Sequence, residues 1–172
     1  MTPIISAPSA PYATVRANAV AVPCADWYPR ALVALWEAGL KTGVDPVVLA
    51  AQCALETGWG NFGGSVTEKY GNTCGLKNVD ATGDTSADLA HFAIGIGGYP
   101  WLGALAHAHH LRLYAGLPVP ADSPDPRAGF VGPGSSRFGA AQYVEQLSTL
   151  WAPSTDYGFK VVTIMDRLRK AV

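Results

Sequence analysis

The feature that most constrains this chain is one almost unbroken apolar segment, Val47-Val48-Leu49-Ala50-Ala51-Gln52-Cys53-Ala54-Leu55-Glu56-Thr57, bracketed by Asp45-Pro46 and Gly58. An aspartate N-cap, a proline at the first helical position and a closing glycine predict a helix over 46–57. Only Gln52, Glu56 and Thr57 interrupt its apolar surface, so it must be buried on most sides. The rest of the fold therefore has to surround it. The 172 residues suffice for one such core and are short for two. With hydrophobic residues at 49% and charged residues at 15%, a disordered polyelectrolyte is excluded.

Other elements follow from spacing and punctuation. Residues 1–23, rich in Ala, Pro and Val, read as an extended N-terminal arm, with a single domain over 24–172. A helix is expected after Asp26 as N-cap, with Trp27, Ala31, Leu32, Leu35 and Trp36 inward and Gly39 or Gly43 at its end. Glycine is frequent over 58–98, which predicts loops with one small hairpin within about 74–94. Helix returns near Pro100. Five prolines between 116 and 136 require an irregular loop. Helices at about 138–151 and 157–172 complete a mainly α (α+β) chain with a loop-and-hairpin lobe inserted in its middle.

Within the buried helix, Leu49, Gln52, Cys53 and Glu56 share one stripe through i, i+3, i+4 and i+7 spacing. Glu56 is thus a carboxylate at the C-terminal end of an apolar helix. Desolvation by Leu55 and Trp59, with the negative end of the helix dipole, predicts a raised pKa. A carboxyl that keeps its proton near neutral pH is what general acid catalysis requires.

The residues around it resemble a family. Ala50-Ala51-Gln52-Cys53-Ala54-Leu55-Glu56-Thr57-Gly58-Trp59-Gly60 is similar to the Ala-Gln-x-x-Leu-Glu-[Ser/Thr]-Gly-Trp-Gly signature of bacterial and phage N-acetylglucosaminidases of glycoside hydrolase family 73. Downstream, Tyr70 to Lys77 resembles that family's Asn-x-Phe-Gly-Ile-Lys segment, His91-Phe92 through Trp101 its Phe-x-x-[Tyr/Trp] strand, and Trp151-Ala152-Pro153-Ser154-Thr155-Asp156-Tyr157 its Tyr-Ala-Thr-Asp-Pro-x-Tyr motif. The resemblance runs in order over about 28–170. It implies a lysozyme-like fold and the glycan strand of peptidoglycan as substrate, cut at the β-1,4 bond after N-acetylglucosamine. It implies Glu56 as catalytic acid, Tyr157 as a substrate-contacting residue, and Gly75, Leu76 and Lys77 as cleft lining. For the second catalytic carboxylate the hairpin offers Asp80, Asp84 and Asp88, of which Asp84 and Asp88 are the candidates. A separation of about 5 Å suits a nucleophile and about 6.5–9.5 Å a water-activating base; the substrate's own N-acetyl group is a third route. Trp59, Tyr70 and Tyr99, with Tyr157, are candidates for stacking on sugar faces.

Rival readings have their own residues. A lytic transglycosylase on the same frame needs one acid/base and leaves a 1,6-anhydro end. Cys74 with His91 or a later histidine would make a Cys–His peptidase pair. A noncatalytic module would use the aromatic residues alone. His107 and His110 share a helix face, yet no H-E-x-x-H is present and no metal or other cofactor is expected. Cys24, Cys53 and Cys74 form no C-x-x-C, so a disulfide framework is not expected. Lys+Arg 12 against Asp+Glu 13 gives a formal charge of −1, which points to neither nucleic acid nor an anionic membrane as partner. A monomer is expected, alone or as one part of a larger lysin. The first residues lack a basic stretch followed by an apolar run, so no signal peptide is read there. The resemblance then suggests a phage endolysin, made in the host cytoplasm and released through a holin-type pore, or a virion-borne domain.

Overall fold

A computed structural model describes residues 1–63, 67–83 and 85–171 of the chain. Its helices are α1 (Tyr12–Val20), α2 (Trp27–Thr42), α3 (Pro46–Thr57), α4 (Trp101–Tyr114), the short α5 (Ala128–Val131) and α6 (Tyr157–Arg169). The molecule is mainly helical, as the sequence predicts, and no helix is long and apolar enough to cross a membrane among the described residues.

The apolar segment forms the central helix. Every residue from Pro46 to Ala54 is buried. Asp45 caps α3 by accepting from the Val47 N–H at 2.9 Å, and Gly58 ends it in the left-handed conformation. α2 and α6 pack on α3, and α4 packs on α2 and reaches α3. α2 ends at Gly43, also left-handed, as its sequence suggests. Asp26 stands before α2 without capping it, because its own backbone is already helical and its side chain accepts no cap bond.

Two expectations are corrected. Residues 12–20, read as part of an extended arm, form α1, whose Val15 and Ala19 are fully buried and which packs on α6 and α2. Its apolar side chains are mostly alanine and valine, so packing rather than an amphipathic pattern holds it. The predicted helix at 138–151 shrinks to a 3-10 turn, Val144–Leu147, that buries Val144 and Leu147. Backbone bonds from 139–144 run outward instead, including Val144 N–H to the Thr2 carbonyl at 2.8 Å. The small hairpin expected within 74–94 is present: among the described residues it has one antiparallel bridge, Lys77 to Leu89, flanked by Asn78 N–H to Asp88 O and Ala90 N–H to Leu76 O, both 2.8 Å.

One close approach seats this lobe on the helical body. A Cβ at Gly103 on α4 would sit 1.8 Å from the Gly71 carbonyl oxygen, so only glycine lets the 71–76 loop lie on that helix. Buried Asn72 then pins the loop, its amide donating to the Leu76 and Ala90 carbonyls (2.8 and 3.0 Å) and its oxygen accepting from the N–H groups of Cys74 and Leu76 (3.3 and 3.1 Å).

Candidate active site

Glu56 stands on the last turn of α3, where three separate segments meet its carboxyl group. Oε1 accepts from the Tyr157 hydroxyl at 2.5 Å and from the Trp151 indole N–H at 3.0 Å. Oε2 faces Gly75, where a Cβ would lie 3.7 Å away. Tyr157 is the first residue of α6. It is driven inward because Gly158 is pressed onto the 144–145 turn, with room for no side chain: a Cβ there would meet the Val144 carbonyl oxygen at 2.3 Å.

The residue as a whole is exposed, yet burial pushes its pKa up, against the lowering effect of the hydrogen bonds from Tyr157 and Trp151. These observations describe two sides of one group. One side opens to solvent; the other rests on dry, densely packed protein. Since Oε1 already accepts two hydrogen bonds, Oε2 is the oxygen that can carry the acid proton.

Behind the carboxyl runs a buried polar chain. Gln52 donates from Nε2 to the Tyr157 oxygen at 2.9 Å. Its Oε1 lies 3.0 Å from His107 Nε2, and His107 Nδ1 lies 3.2 Å from Thr73 Oγ1. With the Gln52 amide donating to Tyr157, its Oε1 must accept, so His107 carries its proton on Nε2 and accepts from Thr73. Burial holds His107 neutral, its pKa lowered to about 3. Tyr157, having accepted from Gln52, can only turn its own proton toward Glu56.

Beside the acid lies a cavity of about 280 Å³, lined on one side by Gly75, Leu76 and Lys77 and on another by Trp151. The structure thus brings Glu56, Tyr157 and the 75–77 segment together. It places the other sequence candidates elsewhere. Trp59 turns away through a left-handed backbone, edges onto Tyr28 at 5.2 Å and lies under the Arg167 guanidinium. Tyr99 donates its hydroxyl to Glu37 and lines a separate groove with Arg30 and Val33 on α2. Tyr70 packs against the His91 ring, centroids 3.8 Å apart. Asp88 is used inside its own loop: it accepts from the N–H groups of Thr82, Gly83 and Thr85 and from the Thr85 hydroxyl, which together lower its pKa. Asp84, the other candidate, lies outside the described residues.

Cys74 is buried, and burial raises its thiol pKa, the reverse of what a nucleophilic cysteine needs. The histidines have other partners: His109 pairs with Ser123 Oγ at 2.7 Å and His110 with Asp125 Oδ2 at 2.8 Å. Sequence reasoning missed Trp151 as a ligand of the acid and His107 as part of its support. The only signal for Trp151 was its fixed place six residues before Tyr157.

A carboxyl whose pKa is raised by burial, at the rim of a cleft, is an arrangement that can serve proton donation to a glycosidic oxygen. The family described as Glucosaminidase, Mannosyl-glycoprotein endo-beta-N-acetylglucosaminidase, matches residues 33–170. This chain belongs to that glucosaminidase family. As a glucosaminidase it is a glycosidase, and the matched region includes α3 and the three residues that meet the Glu56 carboxyl, Gly75, Trp151 and Tyr157. Neither the curated proteins nor the solved structures give a match to this glucosaminidase.

Proposed function

We propose that the protein hydrolyses the β-1,4 bond after N-acetylglucosamine in the glycan strand of peptidoglycan, with Glu56 as general acid. The observation that carries this reading is the pair of hydrogen bonds on Glu56 Oε1, which leaves the proton on Oε2 at the rim of the cavity. Oε2 gives that proton to the leaving oxygen as the sugar develops oxocarbenium character. Gly75 leaves space over Oε2 for the glycosidic oxygen. Asp88 acts as the clamp of its loop; the substrate's N-acetyl oxygen bonds to the anomeric carbon as the protonated leaving oxygen departs, and water then displaces it to give the reducing end. The biological setting proposed is a phage endolysin acting on the bacterial wall, reached through a holin-type pore or carried on the virion.

Mass spectrometry of muropeptides released from purified peptidoglycan tests this reading. New reducing N-acetylglucosamine ends are expected, and their loss in Glu56→Gln assigns the acid. Free peptide termini on intact glycans would refute it. A second reading, lytic transglycosylase, needs only one acid/base and is favoured by the engagement of Asp88 within its own loop. Anhydromuramic ends would decide for it.

A further inference from the structure

The cavity next to Glu56 has a far wall that the reaction as described leaves unused. Arg127 and Arg137 both line it, and both guanidinium groups lie over one ring, Phe130, with Cζ 4.1 and 4.8 Å from its centroid. Two cations are thereby held on the same half-exposed aromatic side chain, where each repels the other. Their other partners are weak. Arg127 gives one long hydrogen bond to the Asn78 carbonyl (3.5 Å), and Arg137 one to the Leu150 carbonyl (3.4 Å) besides its interaction with the Tyr114 hydroxyl. Among the described residues no carboxylate lies within ion-pair distance of either.

One carboxylate close to Arg127 in sequence is already engaged. Asp125 is buried, with Oδ2 on His110 Nδ1 and Oδ1 accepting the Arg127 backbone N–H, both at 2.8 Å. Each guanidinium carries five N–H donors in a flat fork, so most of this donor capacity is unspent. A paired guanidinium wall with an aromatic floor is suited to a planar anion attached to a carbon skeleton.

We propose that Arg127 and Arg137 form a carboxylate subsite that reads the acidic arm of the muramyl residue next to the cleaved bond. This rests on the peptidoglycan reading above. N-acetylglucosamine is neutral, so a cationic wall beside the acid serves no purpose on that sugar alone. The neighbouring muramyl sugar bears a lactyl arm whose end is a carboxylate, either its own or that of the peptide joined to it. Trp151 links the two functions: its indole lines the cavity and its N–H holds Glu56, so an arm seated on the arginines sits one indole from the proton donor.

The test uses the full chain carrying Glu56→Gln, which holds strands without cutting them, and isothermal titration with three glycan preparations. These are strands with stem peptides intact, strands stripped by an amidase to free lactyl carboxylates, and stripped strands whose carboxyls are converted to neutral methylamides. The parent is expected to bind at least one charged form about ten-fold tighter than the methylamide. Whichever charged form is preferred identifies the source of the carboxylate. Adding Arg127→Gln and Arg137→Gln should abolish that preference and leave methylamide affinity unchanged. Should the double substitution unfold the domain, the parent alone decides, because its preference must shrink as salt is raised. Equal binding of charged and neutral strands overturns the subsite while leaving the glycosidase reading intact. Failure to bind all three overturns both.

Discussion

Replacing Tyr157 by phenylalanine removes one hydroxyl with two opposing duties. That hydroxyl donates to Glu56 Oε1 at 2.5 Å and accepts from buried Gln52. Its own pKa is pushed well above the usual tyrosine value, so it remains a donor at every pH at which the enzyme would be assayed. A hydrogen bond to an ionised group contributes about 1.5–3 kcal/mol, and the open side of Glu56 argues for the lower end, ~1.5 kcal/mol. At 1.36 kcal/mol for each pH unit, losing it should raise the Glu56 pKa by about one unit. The sign follows from the bond favouring the carboxylate over the acid: without it, the proton stays on to higher pH. The basic limb of kcat/KM against pH, measured by release of reducing N-acetylglucosamine ends, should therefore move up by about one unit. The same change strands the Gln52 amide in the core, at a stability cost of about 1–3 kcal/mol that thermal melts would register. A limb that stays in place or moves down would refute the claim that Tyr157 tunes this acid.

Glu56→Gln should lower kcat by about 10²–10⁴-fold with the fold intact, whereas Cys74→Ala should retain activity, both read on purified peptidoglycan. The first substitution also carries a stability sign. A carboxyl whose folded pKa is raised contributes its full share below its unfolded pKa and loses it as pH rises through the folded value, so the variant should melt higher than wild type at pH 8 but not at pH 4. His107→Leu leaves Gln52 Oε1 and Thr73 facing an apolar side chain and should cost about 1–3 kcal/mol by denaturant titration; it should shift the Glu56 limb less than Tyr157→Phe does. Asp88→Asn should lower thermal stability at neutral pH, a difference that fades in acid as the wild-type carboxylate protonates, while turnover stays within about two-fold if the residue only ties its loop.

How far the chain could be read depended on whether a signal was local. Asp45, Pro46 and Gly58 announced α3 because caps act within one turn of the residues they cap. The stripe of Gln52 and Glu56 was equally legible, and both side chains do converge on one partner, Tyr157. α1 was not legible, since Tyr12-Ala13-Thr14-Val15-Arg16-Ala17-Asn18-Ala19-Val20 has no amphipathic stripe and owes its helix to packing on α6. The failed helix at 138–151 shows the opposite error: Val144, Leu147 and Leu150 have helical spacing, but the backbone around them is drawn to Thr2, Leu113 and Tyr114 instead. Trp59 misled because a left-handed residue after Gly58 reverses the chain, and periodicity carries no information past such a point.

The position of the acid at the very end of α3 has its own logic. Had the carboxylate stood one or two turns earlier on the same stripe, at residue 49 or 53, it would be sealed among residues that solvent does not reach, with no path to a sugar. Had it stood beyond Gly58, it would have left the dry floor that raises its pKa. Only the last turn gives a side chain that is packed below and open above. The helix dipole adds to desolvation there in favouring the neutral acid, and Tyr157 and Trp151 oppose both by favouring the carboxylate. An acid that must release a proton and then recover it needs both tendencies near balance, because either one alone would fix it permanently in a single state.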